Sequence, residues 1–442
     1  MKKKVLFLDR DYLFQYINTD RFEPLFVALT KKQKMKLEKC NQNVIACFES
    51  EYEELEVSDY PNDYLIFSLC SDRFLNHYKY KKREEILGKT ISFWRKILDQ
   101  WKPSCIVNEV CTMEWVEVLY IEAKARGIPY HTFLYGFRKG YSYWAETPFN
   151  SVIDAKLWQT ATPTSDDYQE ARMYYDLIRN KHEKPFYIQN LNNSKIRGIL
   201  GSFKYYIQCS FADCFRRGFV YEQYRDISKC MFYNNISRLF YKYDNLNLVD
   251  SNHEYVYYPM HYEPEATLTY FADPYVDQSS VLHQIALSLG TKQILIVKEH
   301  PQQLGKLATD QYRRLKKICP NLMFIRGEVS SYDVLKKINL MVTLNGTAGL
   351  EAMIMGKAVI VLGKVFYSYC KSANYCKDFR ELKLTVRNRL YKTVNRDDVI
   401  DFLARFFSLQ TEGFPSMHSS NERNINLKNL ENYIFHLLNE ES

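Results

Sequence analysis

Residues 104–133 read SCIVNEVCTMEWVEVLYIEAKARGIPYHTF, and their pattern decides the fold class. Residues 104–107 form a short apolar run that predicts a strand, and residues 113–126 carry apolar side chains at helical spacing. Gly127 ends the helix, and residues 128–133 begin a second strand. Strand, helix, glycine stop and strand is the βαβ pattern of a parallel sheet. The sequence therefore predicts an α/β protein.

The same alternation continues towards the N-terminus. Further strands are predicted at residues 5–8, 43–48 and 64–68, and a long amphipathic helix is predicted at residues 81–101. The charged start at residues 1–4 is followed by only four apolar residues. A secretory signal needs roughly 7–15 apolar residues at that place, so we interpret the run as a buried strand.

Residues 251–385 show the alternation a second time. Strands are predicted at residues 255–258, 293–298, 322–325, 340–344 and 358–362, and helices at residues 276–289, 310–318, 330–337 and 349–355. This pattern predicts a second doubly wound domain, in which ligands sit at the strand-to-helix turns.

The patterns divide the chain into four segments. They predict an N-terminal Rossmann-like lobe at 1–164, a helical linker region at 165–250, a C-terminal Rossmann-like lobe at 251–385 and C-terminal helices at 386–442. The expected architecture is two Rossmann-like lobes that face a cleft, with linker helices and a helical tail.

The charge balance indicates an anionic partner. The chain has 60 Lys and Arg against 52 Asp and Glu, a formal charge of +8. This excess fits an anionic substrate or an anionic membrane face, and it is too diffuse to indicate nucleic acid. The 11 cysteines are scattered and contain no CxxC pair, which favours a reduced, cytoplasmic protein.

Residues 195–243 form a basic and aromatic segment. Nine Lys or Arg residues and thirteen aromatic residues lie there, with three Asp or Glu residues. Two interpretations stay open: linker helices whose aromatic rings pack on the two domains, or a surface that lies against anionic lipid. Because no stretch approaches the roughly 18 uninterrupted apolar residues of a membrane span, any membrane contact is expected to be peripheral.

Two loops that directly follow predicted strands carry ionisable groups. The loop 258–267 contains His261 and Glu265 between two prolines that restrain it. Such a loop can aim an acid, a base or a ligand-binding group, or it can be a structural turn. The second loop reads Lys298-Glu299-His300-Pro301. Lys298 and His300 could donate to a phosphate, and Glu299 could accept from a base or a sugar hydroxyl.

Two further loops contain small residues after a strand. Asn345, Gly346 and Thr347 allow backbone N–H groups to approach a phosphate, and Glu351 follows where it could bind ribose hydroxyls. In the N-terminal lobe, the loop 133–141 combines aromatic residues with two glycines and two cations, which suits a sugar acid. Its candidate cleft residues, with the end of the neighbouring strand, are Gly136, Arg138, Lys139, Asn108 and Glu109.

No metal-binding or cofactor motif stands out. The sequence has no HExxH, no paired Cys and His spacing and no GxSxG. Asp9-Arg10-Asp11 has an Asp-x-Asp form, but it ends the first predicted strand, so we interpret it as structural. The expectation is an enzyme without a metal or a resident cofactor.

Taken together, the clusters of the C-terminal lobe resemble the capsule polysaccharide biosynthesis family, which includes bacterial Kdo transferases. The order and spacing match over roughly residues 100–365. The motifs are Pro259-Met260-His261-Tyr262-Glu263-Pro264-Glu265-Ala266-Thr267, Lys298-Glu299-His300-Pro301, Asn345-Gly346-Thr347, Glu351 and Gly356-Lys357.

The resemblance implies a GT-B fold that holds a nucleotide sugar mainly in the C-terminal lobe. It implies a CMP-linked acidic sugar, with CMP-Kdo as the first candidate, and no obligate metal. It places His300 at the donor phosphate and Glu351 at the ribose. His261 and Glu265 would face the sugar as the catalytic candidates, and the turn 345–347 would line the phosphate site.

The N-terminal lobe departs from the family pattern at one position. Relatives commonly carry an acidic residue two places before the glycine that matches Gly136, and here that residue is Leu134. If that carboxylate takes part in transfer, Glu109 or Glu146 would have to replace it.

Three functions remain as hypotheses. The first is a glycosyltransferase of bacterial surface polysaccharide assembly that moves a sugar, most simply Kdo or a related acidic sugar, to a lipid-linked or oligosaccharide acceptor. The second is a polyol-phosphate transferase that uses a CDP-glycerol or CDP-ribitol donor. The third is a non-catalytic assembly factor on the inner membrane face, with the basic aromatic segment as its functional part.

Overall fold

The computed structural model describes most of the chain. The described residues are 2–8, 12–59, 66–149, 153–181, 198–215, 218–272, 277–415 and 423–440. The motif at residues 9–11 lies outside them, so its structural interpretation stays a prediction.

The described strands are short and spread over the whole chain. In chain order they are β1 (Lys4–Leu8), β2 (Glu23–Ala28), β3 (Val44–Cys47), β4 (Cys105–Asn108), β5 (Tyr130–Tyr135), β6 (Tyr141–Ala145), β7 (Glu254–Pro259), β8 (Gln293–Lys298), β9 (Leu322–Ile325), β10 (Leu340–Thr343), β11 (Ala358–Val361), β12 (Ala373–Tyr375) and β13 (Thr411–Glu412).

Helices connect these strands. In chain order they are α1 (Lys31–Lys39), α2 (Phe48–Glu51), α3 (Ile66–Ser71), α4 (Tyr80–Trp101), α5 (Glu114–Ala125), α6 (Ala155–Thr160), α7 (Ser165–Lys181), α8 (Ile199–Phe215), α9 (Arg225–Ser237), α10 (Ala266–Thr269), α11 (Gln278–Ser288), α12 (Asp310–Ile318), α13 (Ser331–Lys337), α14 (Ala348–Ile354), α15 (Phe379–Arg389), α16 (Arg396–Ser408) and α17 (Arg423–Glu440). None of the helices in the described ranges is both long enough and apolar enough to span a bilayer.

The chain forms two compact units. The first unit contains residues 1–160, 219–221 and 409–442. Its sheet has the order β13-β6-β5-β4-β1-β2-β3 within the described residues. The five neighbouring strands β3, β2, β1, β4 and β5 pair in parallel. Next to β5, β6 pairs with it as an antiparallel strand, and β13 pairs with β6 in the same way. The hydrogen-bonded neighbours β4 and β5 therefore end at the same edge.

The C-terminal helix α17 completes the core of the first unit. Leu430, Ile434 and Leu438 are buried and belong to the same apolar cluster as Phe7 and Phe26 of the sheet. Their four-residue spacing places them on one helix face. Burial of each such side chain is worth about 1.5–3 kcal/mol relative to an exposed position, which explains why the tail is helical and packed.

Residues 219–221 also belong to the first unit, far from its other segments in sequence. The hydroxyl of Tyr221 donates a hydrogen bond to Oε2 of Glu114 and lies 3.3 Å from the hydroxyl of Thr90. Burial raises the pKa of Glu114 to about 8, so the carboxyl group is largely protonated at neutral pH. The contact is therefore an interior polar link between a neutral acid and a phenol.

The second unit contains residues 161–218 and 222–408. Its sheet, as far as the structure describes it, is entirely parallel, with the order β12-β11-β10-β7-β8-β9. The central residues of β8, Leu295, Ile296 and Val297, are fully buried. A parallel sheet that is covered on both faces needs such a continuous apolar run, which is why this strand is legible in the sequence.

The predicted α/β class with parallel sheets is confirmed. The predicted division into four segments stays a prediction. The two compact units group these segments differently. The predicted C-terminal helices are divided between the units after residue 408, and most of the predicted linker region lies in the second unit. The strand predicted at residues 64–68 is wrong, because the described part of this stretch begins the helix α3. A short apolar run does not distinguish a buried strand from a buried helix.

Candidate functional site

Three loops of the second unit meet at one edge of its sheet. The neighbouring parallel strands β10, β7 and β8 end there. They are followed by residues 344–347, 260–265 and 299–301 respectively. Because adjacent parallel strands end at the same edge, the loops that follow them lie side by side. This edge is the candidate site, and it unites three of the clusters found in the sequence.

His261 lies where the loop after β7 touches the loop after β10. A Cβ atom added to Gly346 would lie 3.1 Å from Nε2 of His261 and 3.5 Å from Oγ1 of Thr343. A side chain at position 346 would therefore press against the imidazole of His261. His261 is buried, and neither ring nitrogen has a hydrogen bond of normal geometry within the described residues. The same holds for Oγ1 of Thr343, and such buried polar atoms mark a place that can receive a polar ligand.

Gln278 holds the loop of His261 in place. This side chain at the start of α11 is completely buried. Its Oε1 accepts from the backbone N–H of His261 at 2.8 Å and from the hydroxyl of Tyr258 at 3.1 Å. Its Nε2 donates to the carbonyl of His261 at 3.1 Å and to Oε1 of Glu263 at 2.6 Å. All four contacts converge on one short loop, so Gln278 fixes the position of the imidazole.

Glu263 is held by the protein and does not point freely into the site. Its Oε2 lies 2.6 Å from Nζ of Lys306, and its Oε1 accepts from Tyr312 at 3.3 Å. The side chain of Gln303 accepts from the backbone N–H of Glu263 at 3.0 Å and donates to its carbonyl. The loop after β7 is thus fastened at both ends, by Gln278 and by Gln303.

His300 presents a defined tautomer. The backbone N–H of Gln302 donates to Nδ1 of His300 at 3.2 Å. In the neutral imidazole the proton is then on Nε2, so this atom is a donor. The ring of Tyr262 meets the His300 ring edge to face, with 5.8 Å between the centroids. The loop therefore offers one N–H group in a fixed orientation, which suits a phosphate oxygen.

Both histidines are neutral at physiological pH. Burial lowers the pKa of His261 to about 4, against smaller opposing effects of the Gln278 and Asn345 side chains. Burial also lowers the pKa of His300 to about 4, with further contributions from the nearby His261 and Lys298. Desolvation disfavours any charge on these rings, so of the groups named here only the Lys298 ammonium group would attract an anion.

We expect the free energy of unfolding to fall as the pH drops from about 6.5 to about 4. Both folded-state pKa values lie below the ordinary value, so the unfolded chain binds more protons in this window and acid favours it. Urea unfolding of the native chain and of a His261→Gln/His300→Gln variant would measure the effect. The free energy of unfolding of the native chain should fall more steeply with decreasing pH than that of the variant. An equal pH dependence in the two proteins would contradict the lowered pKa values of the two histidines.

Lys298 and Glu299 are both buried but have different roles. The Lys298 ammonium group, at the end of β8, lies 3.4 Å from the carbonyl of Glu299 and acts electrostatically on His300. The Glu299 carboxylate accepts from the hydroxyl of Tyr243 at 2.7 Å and from the backbone N–H of Leu307 at 3.0 Å. Burial raises its pKa. These contacts favour a positioning role for Glu299 over the predicted contact with a nucleotide sugar.

Tyr367 holds the loop after β10 in place. Its hydroxyl donates to the carbonyl of Gly346 at 2.6 Å. A Cβ atom at Gly349 would lie 2.1 Å from the same hydroxyl oxygen, so this second glycine is sterically required. Thr347 is the N-cap residue of α14, without a capping hydrogen bond from its side chain, and Glu351 lies within the helix. Glu351 acts electrostatically on Tyr257 and Tyr332, which places its carboxylate near these two phenols.

Of the remaining predicted residues of this unit, Asn345 is buried, whereas Glu265 and Pro301 are exposed. Glu265 is exposed, and its carbonyl accepts from the backbone N–H groups of Leu268 and Thr269 at the start of α10. Pro301 is exposed directly after His300. An exposed carboxylate beside a fixed loop can reach a bound ligand, so Glu265 stays a candidate.

The predicted cluster of the first unit lies at the end of β4 and in the loop between β5 and β6. Asn108 is buried and donates to the hydroxyl of Tyr130 at 3.0 Å, which favours a structural role. The Glu109 carboxylate accepts from the hydroxyl of Tyr12. A Cβ atom at Gly136 would lie 2.6 Å from the carbonyl oxygen of Tyr141, so this glycine permits a close backbone approach.

The two cations of this loop differ in environment. The Arg138 guanidinium lies 4.0 Å from the centre of the Tyr141 ring, and Lys139 is exposed. Leu134, at the position that is commonly acidic in relatives, is half-buried, and Glu146 is exposed beyond β6.

The described residues hold no group of three or more His, Cys, Asp or Glu side chains that could bind a metal ion. The prediction of a metal-independent reaction stays a prediction.

An α/β unit with ionisable loops at the carboxyl edge of a parallel sheet is typical of ligand-binding doubly wound domains. Residues 223–371 match the family described as capsule polysaccharide biosynthesis protein. The match includes all three loops of the candidate site and about one third of the 442 residues. It confirms the predicted resemblance to this family over that range. The part of the predicted resemblance before residue 223 lies outside the match.

Several solved structures are similar to the chain at low identity. The β-Kdo 2,7 transferase of KpsC from Thermosulfurimonas dismutans is 11% identical, with a TM-score of 0.37 and coverage of 71% of this chain and 89% of that chain. The β-Kdo 2,4 transferase of the same KpsC is 15% identical, with a TM-score of 0.39 and coverage of 69% and 88%. A glycosyltransferase from Rickettsia africae is 9% identical, with a TM-score of 0.32 and full coverage of both chains. No curated protein matches the chain. At these identities and TM-scores the structural similarities carry no argument, and the resemblance to the family rests on the match over residues 223–371.

Proposed function

We propose that this protein is a glycosyltransferase of capsule or surface polysaccharide biosynthesis that uses a nucleotide-sugar donor. The observation that carries the proposal is the site at the carboxyl edge of the second sheet. Two neutral histidines and a buried lysine lie in or beside the loops at this edge, and His261 lies in close contact with the turn at Gly346. The family match covers the same loops.

The donor is proposed to be CMP-linked, with Kdo or a related acidic sugar. Transfer breaks the bond between the anomeric carbon and the leaving phosphate, so negative charge develops on that phosphate. The Lys298 ammonium group and the Nε2–H group of His300 can stabilise this charge. Glu351 is proposed to bind the ribose hydroxyls, and the turn 345–347 to contact the phosphate. No metal ion or resident cofactor takes part in the proposal.

On the acceptor side, transfer needs a group that interacts with the proton of the acceptor hydroxyl or with the positive charge that develops on the sugar. His261 is neutral, and neither ring nitrogen has a hydrogen bond of normal geometry within the described residues. Because its lowered pKa makes it a weak general base, its proposed role is to orient the acceptor hydroxyl group by a hydrogen bond. Glu265 is the second candidate because it is exposed on the same loop. A lipid-linked or oligosaccharide acceptor is proposed to contact the first unit through Glu109, Arg138 and Lys139.

The proposal includes a cytoplasmic location with peripheral contact to the inner membrane face. All 11 cysteines are free thiols, which supports a reducing compartment.

A thermal-shift experiment tests the donor class. We expect CMP and CMP-linked sugars to raise the melting temperature more than CDP, UDP, GDP and their common sugars do. Binding to the folded state stabilises it by about 2.7 kcal/mol when the ligand is present at one hundred times its dissociation constant. A His300→Ala variant should lose most of this shift, and a His253→Ala variant should keep it, because His253 lies outside the site and pairs with Asp250.

Each result has a distinct meaning. A preference for UDP or GDP would remove the CMP assignment and keep the nucleotide site. A preference for CDP-glycerol or CDP-ribitol would favour a polyol-phosphate transferase. The absence of any response would contradict the proposal and favour a non-catalytic assembly factor.

A further inference from the structure

The helix α8 exposes a stripe of large apolar side chains. Leu200, Phe203, Ile207 and Phe211 are between 45% and 83% exposed. At 100° per residue, their positions fall within a sector of about 80° around the helix axis. Scattered single apolar residues on a surface are ordinary, but four on one narrow face are not.

The opposite side of α8 is packed against the protein. Ser202 and Cys209 are buried, and the ring of Tyr206 stacks on Phe232 of α9 at 6.3 Å between the centroids. The helix is therefore anchored through one face while the apolar stripe faces outwards. The stripe runs for about 16 Å along the helix.

Cations flank the stripe. Lys204 lies about 20° beyond the edge of this sector of α8. Lys229 of α9 lies one turn before Phe232, whose ring centre is 5.2 Å from that of the stripe residue Phe203. In the part of the chain that the structure describes, neither lysine forms an ion pair. Residues 195–243 as a whole carry nine Lys or Arg against three Asp or Glu. Apolar side chains with lysines at their edge are the pattern of a helix that lies in a membrane interface.

We propose that this face of α8, together with Lys204 and Lys229, docks the protein onto an anionic lipid bilayer. The neighbouring lysines and the excess of Lys and Arg over Asp and Glu in residues 195–243 favour an anionic lipid surface. The helix would lie in the plane of the interface, with the apolar stripe in the boundary between headgroups and acyl chains and the ammonium groups at the phosphates. This inference rests on the peripheral membrane contact of the proposed function and names the surface that makes it, and the contact does not depend on a nucleotide.

Vesicle flotation without any nucleotide tests the proposal. The vesicles are phosphatidylcholine mixed with phosphatidylglycerol, and phosphatidylcholine alone. We expect the full chain to float with the anionic vesicles and a Leu200→Glu/Ile207→Glu variant to bind about 100-fold more weakly, because two apolar contacts are lost and two repelling charges are gained. The matched control is Leu287→Glu/Leu384→Glu, which adds the same charge at apolar residues that are each 62% exposed elsewhere in the second unit.

The outcomes separate the possible occupants of the stripe. Loss of binding in the α8 variant with retention in the control supports the proposal, provided that both variants unfold at the temperature of the native chain. Equal binding of all three proteins overturns it. If none floats and light scattering shows that only the α8 variant changes from dimer to monomer, the stripe binds a second copy of this chain and the lipid assignment is wrong.

Discussion

Replacement of His300 by alanine is expected to lower the transfer rate by about 10²–10³-fold, the usual cost of removing one preorganised donor from a developing negative charge. The structure gives the physical reason. Nδ1 of His300 is occupied by the backbone N–H of Gln302, so the neutral ring has its single proton on Nε2. The alanine variant lacks the Nε2–H donor to the departing phosphate, whereas the strand and the loop backbone stay in place.

The measurement is turnover of a CMP-linked sugar, with circular dichroism as the check on folding. His253→Ala is the matched control, because it removes an exposed histidine of the same unit. We expect the loss to appear in kcat/KM, because His300 is proposed to contact the donor phosphate both when the nucleotide binds and when charge develops in transfer. A folded His300→Ala variant with native turnover would remove His300 from the mechanism.

Much of the second unit could be predicted from the sequence. The strand Gln293–Lys298, the helix Asp310–Ile318 and the strand Leu322–Ile325 have the predicted bounds. The strands were legible because a sheet covered on both faces requires continuous apolar runs. The strand Glu23–Ala28 was missed, and its sequence begins with a charged residue and a proline, which weaken the strand signal. The two-residue strand β13 carries too little sequence to be recognised.

The candidate loops were predicted for a topological reason. Polar residues that directly follow buried parallel strands must lie at one edge of the sheet, so the loops after β7, β8 and β10 could be grouped before the structure was known. The sequence did not identify the residues that hold these loops. Gln278, Gln303 and Tyr367 lie in no motif, and their roles depend on burial and on partners that are distant in the chain. Likewise, the carboxylate of Glu299 resembles a ligand-binding group until its internal contacts are seen.

Gln278→Met is expected to lower the free energy of unfolding by about 2–4 kcal/mol and to weaken nucleotide binding. Methionine has a similar length but offers neither the acceptor nor the donor that the loop uses. The backbone N–H and carbonyl of His261, the hydroxyl of Tyr258 and the carboxylate of Glu263 would each lose a buried partner. A buried polar group that loses its partner costs about 1–3 kcal/mol, with part of this recovered by relaxation.

The control for this variant lies in the same helix. Gln284 of α11 is exposed, so Gln284→Met changes the same chemistry without touching the loop and should leave stability and binding unchanged. Urea unfolding measures the stability, and a histidine NMR titration measures the pKa of His261. If Gln278 positions the imidazole, that pKa should move away from about 4, whereas a role in stability alone would leave it in place. Native stability together with an unmoved titration in Gln278→Met would show that the loop is held by other contacts.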